Sequence, residues 1–140
     1  MNVSAHAPDS LWGEIPEVSE IDSVKFVLEE QALALKRNTK GLLYGIVQMK
    51  TREGRFIVSL SIVAPSLDNY TQQILSVTHG IDSFPATIND SPDWPATECS
   101  DITEFKEAVG ERLQSERVRK LIRGLLGMMR PAPDFEKPFA

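Results

Sequence analysis

Between Leu42 and Ile88 the apolar runs are all of strand type, and no segment with helical spacing interrupts them. Strands joined by so little chain must pair antiparallel, because a parallel neighbour needs a crossover of about a dozen residues or more, ordinarily a helix. A doubly wound parallel sheet is thereby excluded. Leu42 to Lys50 and Arg55 to Ala64 are rich in Val and Ile and are separated by the polar connector Thr51-Arg52-Glu53-Gly54, which predicts a hairpin. In its second arm Phe56, Val58, Leu60 and Ile62 share one face by the two-residue period and should look at the core. Ser59 and Ser61 fall on the other face beside Ile57 and Val63. Pro65 to Asn69 has turn chemistry, and Tyr70 to His79 reads as a third strand. In Phe84 to Ile88, Pro85 cannot donate to a central ladder, so a short edge strand or an extended loop is expected there. Asn89 to Ser100, with Pro92, Pro95 and Trp94, reads as a long surface connection of the kind that often binds something.

Helical patterning lies on either side of this block. Ser19-Glu20-Ile21-Asp22 has a capping pattern, and Ile21, Val24, Leu28, Gln31, Ala32 and Leu35 follow at helical spacing. Lys36, Arg37 and Lys40 suit the negative end of that helix, and Gly41 supplies its stop. After the sheet, Asp101-Ile102-Thr103-Glu104 caps a helix carrying Phe105, Ala108, Val109 and Leu113. Ser115 can cap another, in which Val118, Leu121, Ile122, Leu125, Leu126 and Met129 form an apolar stripe. Gln114-Ser115 is compatible with either a break or a bend. The expected fold is therefore α+β: an N-terminal helix, an antiparallel meander of three to four strands, and two C-terminal helices packed on one sheet face.

With 140 residues, 41 % apolar and 25 % charged, the chain has the size and composition of one globular unit. The expected division is an arm over residues 1–18, one α+β domain over 19–130 and a flexible tail over 131–140. A lone Cys99 forms no internal bridge. No run approaches the roughly 18 apolar residues of a membrane span. Residues 1–24 carry no Lys or Arg and no long apolar block, so no leader is expected and the cytoplasm is the default location. The net charge of -5 is distributed in blocks. Residues 1–30 carry seven acids against Lys25, residues 31–65 six bases against Glu53, residues 66–105 seven acids and no base, and residues 106–140 eight bases against five acids. An acidic chain lacks the overall electrostatic footprint of a nucleic-acid binder, although local basic faces remain.

Candidate chemistry is sparse. His79, Asp82 and Cys99 are the one set from which a thiol nucleophile, its base and an orienting acid could be assembled, giving a small hydrolase or transferase as an alternative function. A buried Cys acting as a small apolar group is the simpler interpretation. Cys99, His79 and the isolated His6 do not supply a metal ligand set, and no glycine pattern of a phosphate cradle occurs, so neither metal nor cofactor is expected. The acid pairs Asp90 with Asp93 and Glu29 with Glu30 read as solvated. Tyr44, Lys50, Arg52, Arg55 and Phe56 come nearest to an aromatic and basic surface for single-stranded nucleic acid.

Across most of its length the chain resembles small bacterial domains that carry no assigned activity. The strings that carry the resemblance are Leu11-Trp12-Gly13-Glu14-Ile15-Pro16-Glu17, Lys40-Gly41, Ala64-Pro65-Ser66-Leu67, Thr78-His79-Gly80-Ile81-Asp82, Glu104-Phe105 and Leu121-Ile122-Arg123-Gly124-Leu125-Leu126. The resemblance implies a bacterial cytosolic protein and brings no catalytic residues with it. The function expected from the residues is a non-catalytic protein-interaction module of accessory, inhibitor or immunity type, with a protein partner or a second copy. Its candidate binding residues are Trp12, Trp94, Arg117, Arg119, Lys120 and Arg123. A nucleic-acid accessory protein using the basic last helix is a further alternative. Because an exposed Trp without use is unusual, Trp12 is expected to pack back on its own domain.

Overall fold

The computed structural model describes residues 10–133. The expected tail beyond 133, the first nine residues of the arm and His6 lie outside the described residues. The elements are α1 (Val24–Asn38), β1 (Tyr44–Arg52), β2 (Arg55–Ala64), β3 (Tyr70–His79), β4 (Ala86–Ile88), β5 (Thr97–Cys99), α2 (Ile102–Leu113) and α3 (Glu116–Met128). The strands form one antiparallel sheet in chain order, β1-β2-β3-β4-β5. The fold is α+β with an antiparallel sheet, as expected, but the meander has five strands rather than three or four.

Two of the differences concern its last strands. β4 is an inner strand, not an edge: Pro85 stands just before Ala86, so its missing N–H removes no bond from the ladder. β5 lies within the stretch read as a loop, and three residues are too few to show alternation. Between them Ser91 and Trp94 close a tight turn by two backbone hydrogen bonds. α1 also begins later than expected. Ser23, not Ser19, caps it, accepting the Phe26 N–H at 3.1 Å. The Ser83 hydroxyl accepts the Val24 N–H at 3.2 Å, so a contact with the β3–β4 loop helps place the first turn. Val18–Glu20 forms only a single 3-10 turn, and Ile21 is exposed.

Elsewhere local chemistry and structure agree. The hairpin turn narrows to Glu53 and Gly54, with φ of 52° and 79°, the left-handed pair of a type I′ turn. α1 ends with Lys40 and Gly41 at positive φ, and the Gly41 N–H closes on the Lys36 carbonyl at 2.8 Å. Asp101 caps α2 by accepting the Glu104 N–H at 2.9 Å, and Ser115 caps α3, so Gln114-Ser115 is a break. A register shift in the β2–β3 ladder after Leu60 places Ile74 and Leu75 consecutively in the core.

One face of the sheet carries the core. Val58, Leu60, Ile62, Leu75, Val77, Ile88 and Cys99 join Val24 and Leu28 of α1, Phe105 and Val109 of α2, and Val118 and Leu125 of α3 in one cluster. α1 approaches very closely at Gly45, where an added Cβ would lie 2.7 Å from Ala32 Cβ and 2.8 Å from its Cα. The two sheet edges differ. β5 is very short, whereas β1 is long and carries Lys50 and Arg52, charges that discourage strand addition. No helix among the described residues is long and apolar enough to cross a membrane.

Candidate interaction site

The arm preceding α1 does not fold back. Leu11 is 99 % exposed, Trp12 82 %, Ile15 65 % and Val18 85 %, which corrects the expectation that Trp12 packs on its own domain. The local sequence explains this. Glu14, Glu17, Glu20 and Asp22 interrupt the apolar residues, and Gly13 at positive φ with Pro16 prevents a regular element. Seating such a segment on its own sheet would bring several carboxylates against apolar surface, where charge is costly without a partner. The Trp12 backbone N–H donates to the Ser10 hydroxyl, two residues away, its one partner among the described residues.

At the other end of the chain, α3 turns Val118 and Leu125 into the core, with Leu121, Ile122, Leu126 and Met129 half-buried beside them. Arg119, Lys120 and Arg123 are exposed, and Arg117 is half-buried with its Nε 4.0 Å from Asp93 Oδ2. Where α3 passes the start of β3, Leu67, Tyr70, Leu121, Gly124, Leu125 and Met128 line an open apolar groove of about 380 Å³. Gly124 is one of its lining residues, and nothing lies within 4 Å of where its Cβ would be. Trp12, Arg119, Lys120 and Arg123 are therefore accessible, as a binding role requires, while Arg117 is partly engaged by Asp93.

Trp94 is placed differently. It is half-buried in the Ser91–Trp94 turn, and the Arg112 guanidinium lies 5.7 Å from the centre of its ring. Arg112 is 4 % exposed, donates from Nη1 to the Asn89 carbonyl at 2.9 Å, and from Nη2 to the Pro95 carbonyl at 2.6 Å and Thr97 Oγ1 at 3.3 Å. Burial lowers its pKa, with opposing contributions from Cys99 and Asp90. Sequence reasoning missed this residue. The available signal was its spacing, since Phe105, Val109 and Arg112 occupy one face of α2.

His79, Ala86 and Cys99 are paired in one row across β3, β4 and β5. His79 and Cys99 thus share the core face, separated by the Ala86 strand and about 10 Å of sheet. His79 Nδ1 lies 2.7 Å from the Gly80 carbonyl and the ring stacks on Phe56, while Asp82 is exposed. Cys99 is 1 % exposed; burial pushes its thiol pKa up, Glu104, Asp101 and Glu98 add to the rise, and Arg112 opposes it. A thiol in this state is a poor nucleophile. Among the described residues no group of three or more His, Cys, Asp and Glu could hold a metal ion.

The hairpin residues do not form one aromatic and basic surface. Tyr44, Lys50, Arg52 and Arg55 fall on the sheet face opposite the core by register, with Tyr44 at the far end of β1 from the three cations, and Phe56 faces His79 on the core side. That outer face also carries a shallow concavity bordered by Gln48, Lys50, Ile57, Ser59, Gln73, Ser76 and Asn89. The Asn89 amide nitrogen donates to Ser76 Oγ at 2.9 Å and Thr78 Oγ1 at 3.0 Å. Comparison with protein-family models, with curated proteins and with solved structures gave no match.

Proposed function

We propose that this chain is a non-catalytic protein-interaction module working in the cytoplasm as an accessory protein, with Trp12 and its neighbours in the arm as the primary binding element and the cationic face of α3 as a second. The observation that carries this reading is the arm itself. Leu11, Trp12, Ile15 and Val18 stay in water while the core closes without them. Large aromatic and aliphatic side chains held outside a completed core lose their hydration cost when a partner covers them, and tryptophan is enriched among binding hot spots. Acids interleaved with them add charge selectivity. Arg119, Lys120 and Arg123 contribute steering for an acidic surface on the partner.

The test is site-specific photocrosslinking. The full chain carrying p-benzoylphenylalanine in place of Trp12 is expressed in cells and irradiated. Covalent adducts of higher mass than the chain are expected, and their formation should fall when Ile15→Ser is added. If the photoprobe yields only unmodified chain or internal links, position 12 contacts no other protein and the reading fails.

A further inference from the structure

The α3 groove and the arm are complementary in polarity and charge. The groove is apolar along Leu67, Tyr70, Leu121, Leu125 and Met128, and Met128 is 66 % exposed. On the helix side Lys120 stands one turn before Gly124 and Arg117 one turn before Leu121; on the strand side Asp68 follows Leu67. The arm presents Leu11, Trp12, Ile15 and Val18 with Glu14, Glu17, Glu20 and Asp22 and no cation. Apolar side chains meet an apolar trough, and carboxylates meet the α3 cations. Gly124 adds to the fit. A glycine inside an exposed helix costs roughly 1 kcal/mol against alanine, yet no steric conflict around its Cβ requires it here; its effect is to leave that part of the groove's lining open.

We propose that the groove receives the arm of a second copy of this chain, in a reciprocal exchange in which each copy's residues 11–18 lie along the other's α3. The chain's own arm is poorly placed for the same seat. The arm leaves α1 at Val24, which is bonded to Ser83 just beyond the end of β3, whereas the groove adjoins Tyr70 at the start of that ten-residue strand. The intervening distance is about 30 Å, so most of the roughly 40 Å of extended chain between Val24 and Trp12 would be used in arriving there, and the chain's own arm leaves the groove uncovered, with Trp12 82 % and Met128 66 % exposed. Another copy's arm meets no such limit, and a twofold exchange uses the same two surfaces twice in a closed dimer. This inference rests on the arm being an interaction element and names what it binds.

Sedimentation equilibrium of the full chain tests it, beside the arm variant Trp12→Ala/Ile15→Ala and the groove variant Gly124→Glu. Gly124→Glu fills the groove and sets a carboxylate against the acidic arm, while raising helix propensity. Met128→Glu, at an exposed position, gives a second groove variant with no demand on the core. Wild type should associate to a dimer, and the arm variant and both groove variants should weaken that dimer roughly thirtyfold or more, the scale of removing a buried aromatic anchor. Their unfolding transitions, measured as monomers, should match wild type or, for Gly124→Glu, lie higher. A wild-type chain that stays monomeric at every concentration overturns the inference, as does a dimer that survives both the arm and the groove substitutions. In either case crosslinks from position 12 to a different protein would leave the interaction reading standing, and their absence would remove both.

Discussion

Replacing Arg112 by Met should destabilise the fold more than any other single polar-to-apolar exchange in α2, although methionine suits a buried helix position. The Arg112 guanidinium ties α2 at once to the Asn89 carbonyl, the Pro95 carbonyl and Thr97, and it lies against the Trp94 ring. Hydrogen bonds to a charged group contribute about 1.5–3 kcal/mol each in isolation. Their sum is offset by the desolvation of the cation, visible in its lowered pKa, and by its Nε, which finds no partner among the described residues. The variant, however, leaves two carbonyls without their donor, and the net loss should be about 2–4 kcal/mol. Urea unfolding followed by circular dichroism gives the magnitude. In a Trp12→Phe background the emission of Trp94, then the only tryptophan, should move to the red in the native state as the 89–97 segment loosens. Arg112→Lys should fall between the two, since one ammonium cannot reproduce the fork. A loss below about 0.5 kcal/mol with unshifted Trp94 emission would refute the latch.

Gly45→Ala should cost about 1–3 kcal/mol by the same unfolding assay, because its Cβ would run into the Ala32 backbone and α1 must move to admit it. On α3, Leu125→Ala should cost about 2–5 kcal/mol and the half-buried Leu121→Ala less, whereas Arg119→Ala or Lys120→Ala should cost under about 0.5 kcal/mol; similar losses at all four would contradict the assignment of buried and solvated faces. For Cys99 the folded state favours the neutral thiol, its pKa being raised chiefly by burial. That contribution to stability is whole below the ordinary thiol range and is lost as pH rises through the raised value, so unfolding midpoints should decline at alkaline pH more steeply for wild type than for Cys99→Ala, and equal slopes would contradict it. The native thiol should also resist a disulfide reagent at pH 8 and react at once in denaturant.

Much of the fold was legible because its long elements carry strong periodic signals. Phe56, Val58, Leu60 and Ile62 announced the core face of β2, and Asp101 with Glu104 and Ser115 announced the starts of α2 and α3. What escaped was set by contacts distant in sequence. β5 has three residues and is tied to α2 through Arg112 and Thr97, and α1 is capped by Ser23, where Val24 also meets Ser83. Neither pairing leaves a local pattern. The sites divide in the same way. The apolar and acidic character of the arm was plain, but whether Trp12 would find a seat on the domain depended on tertiary surface that no local spacing encodes. Trp94 gave the opposite result, since its partner Arg112 comes from another element. His79 and Cys99 share a row only because the short strands β4 and β5 pair in register with β3, and Ala86 of β4 between them keeps them apart.

The most direct test of the arm as a binding element is quantitative capture by the full chain and by the Trp12→Ala/Ile15→Ala variant in parallel, each tagged at its C-terminus and present at equal amounts of folded protein. The proteins retained, including untagged copies of the chain itself, are identified and measured by mass spectrometry. The account predicts specific retention by wild type that falls at least roughly tenfold with the variant, as expected when buried anchors are removed. Equal retention by both chains would contradict it and return the arm to the status of a solvated leader to the fold.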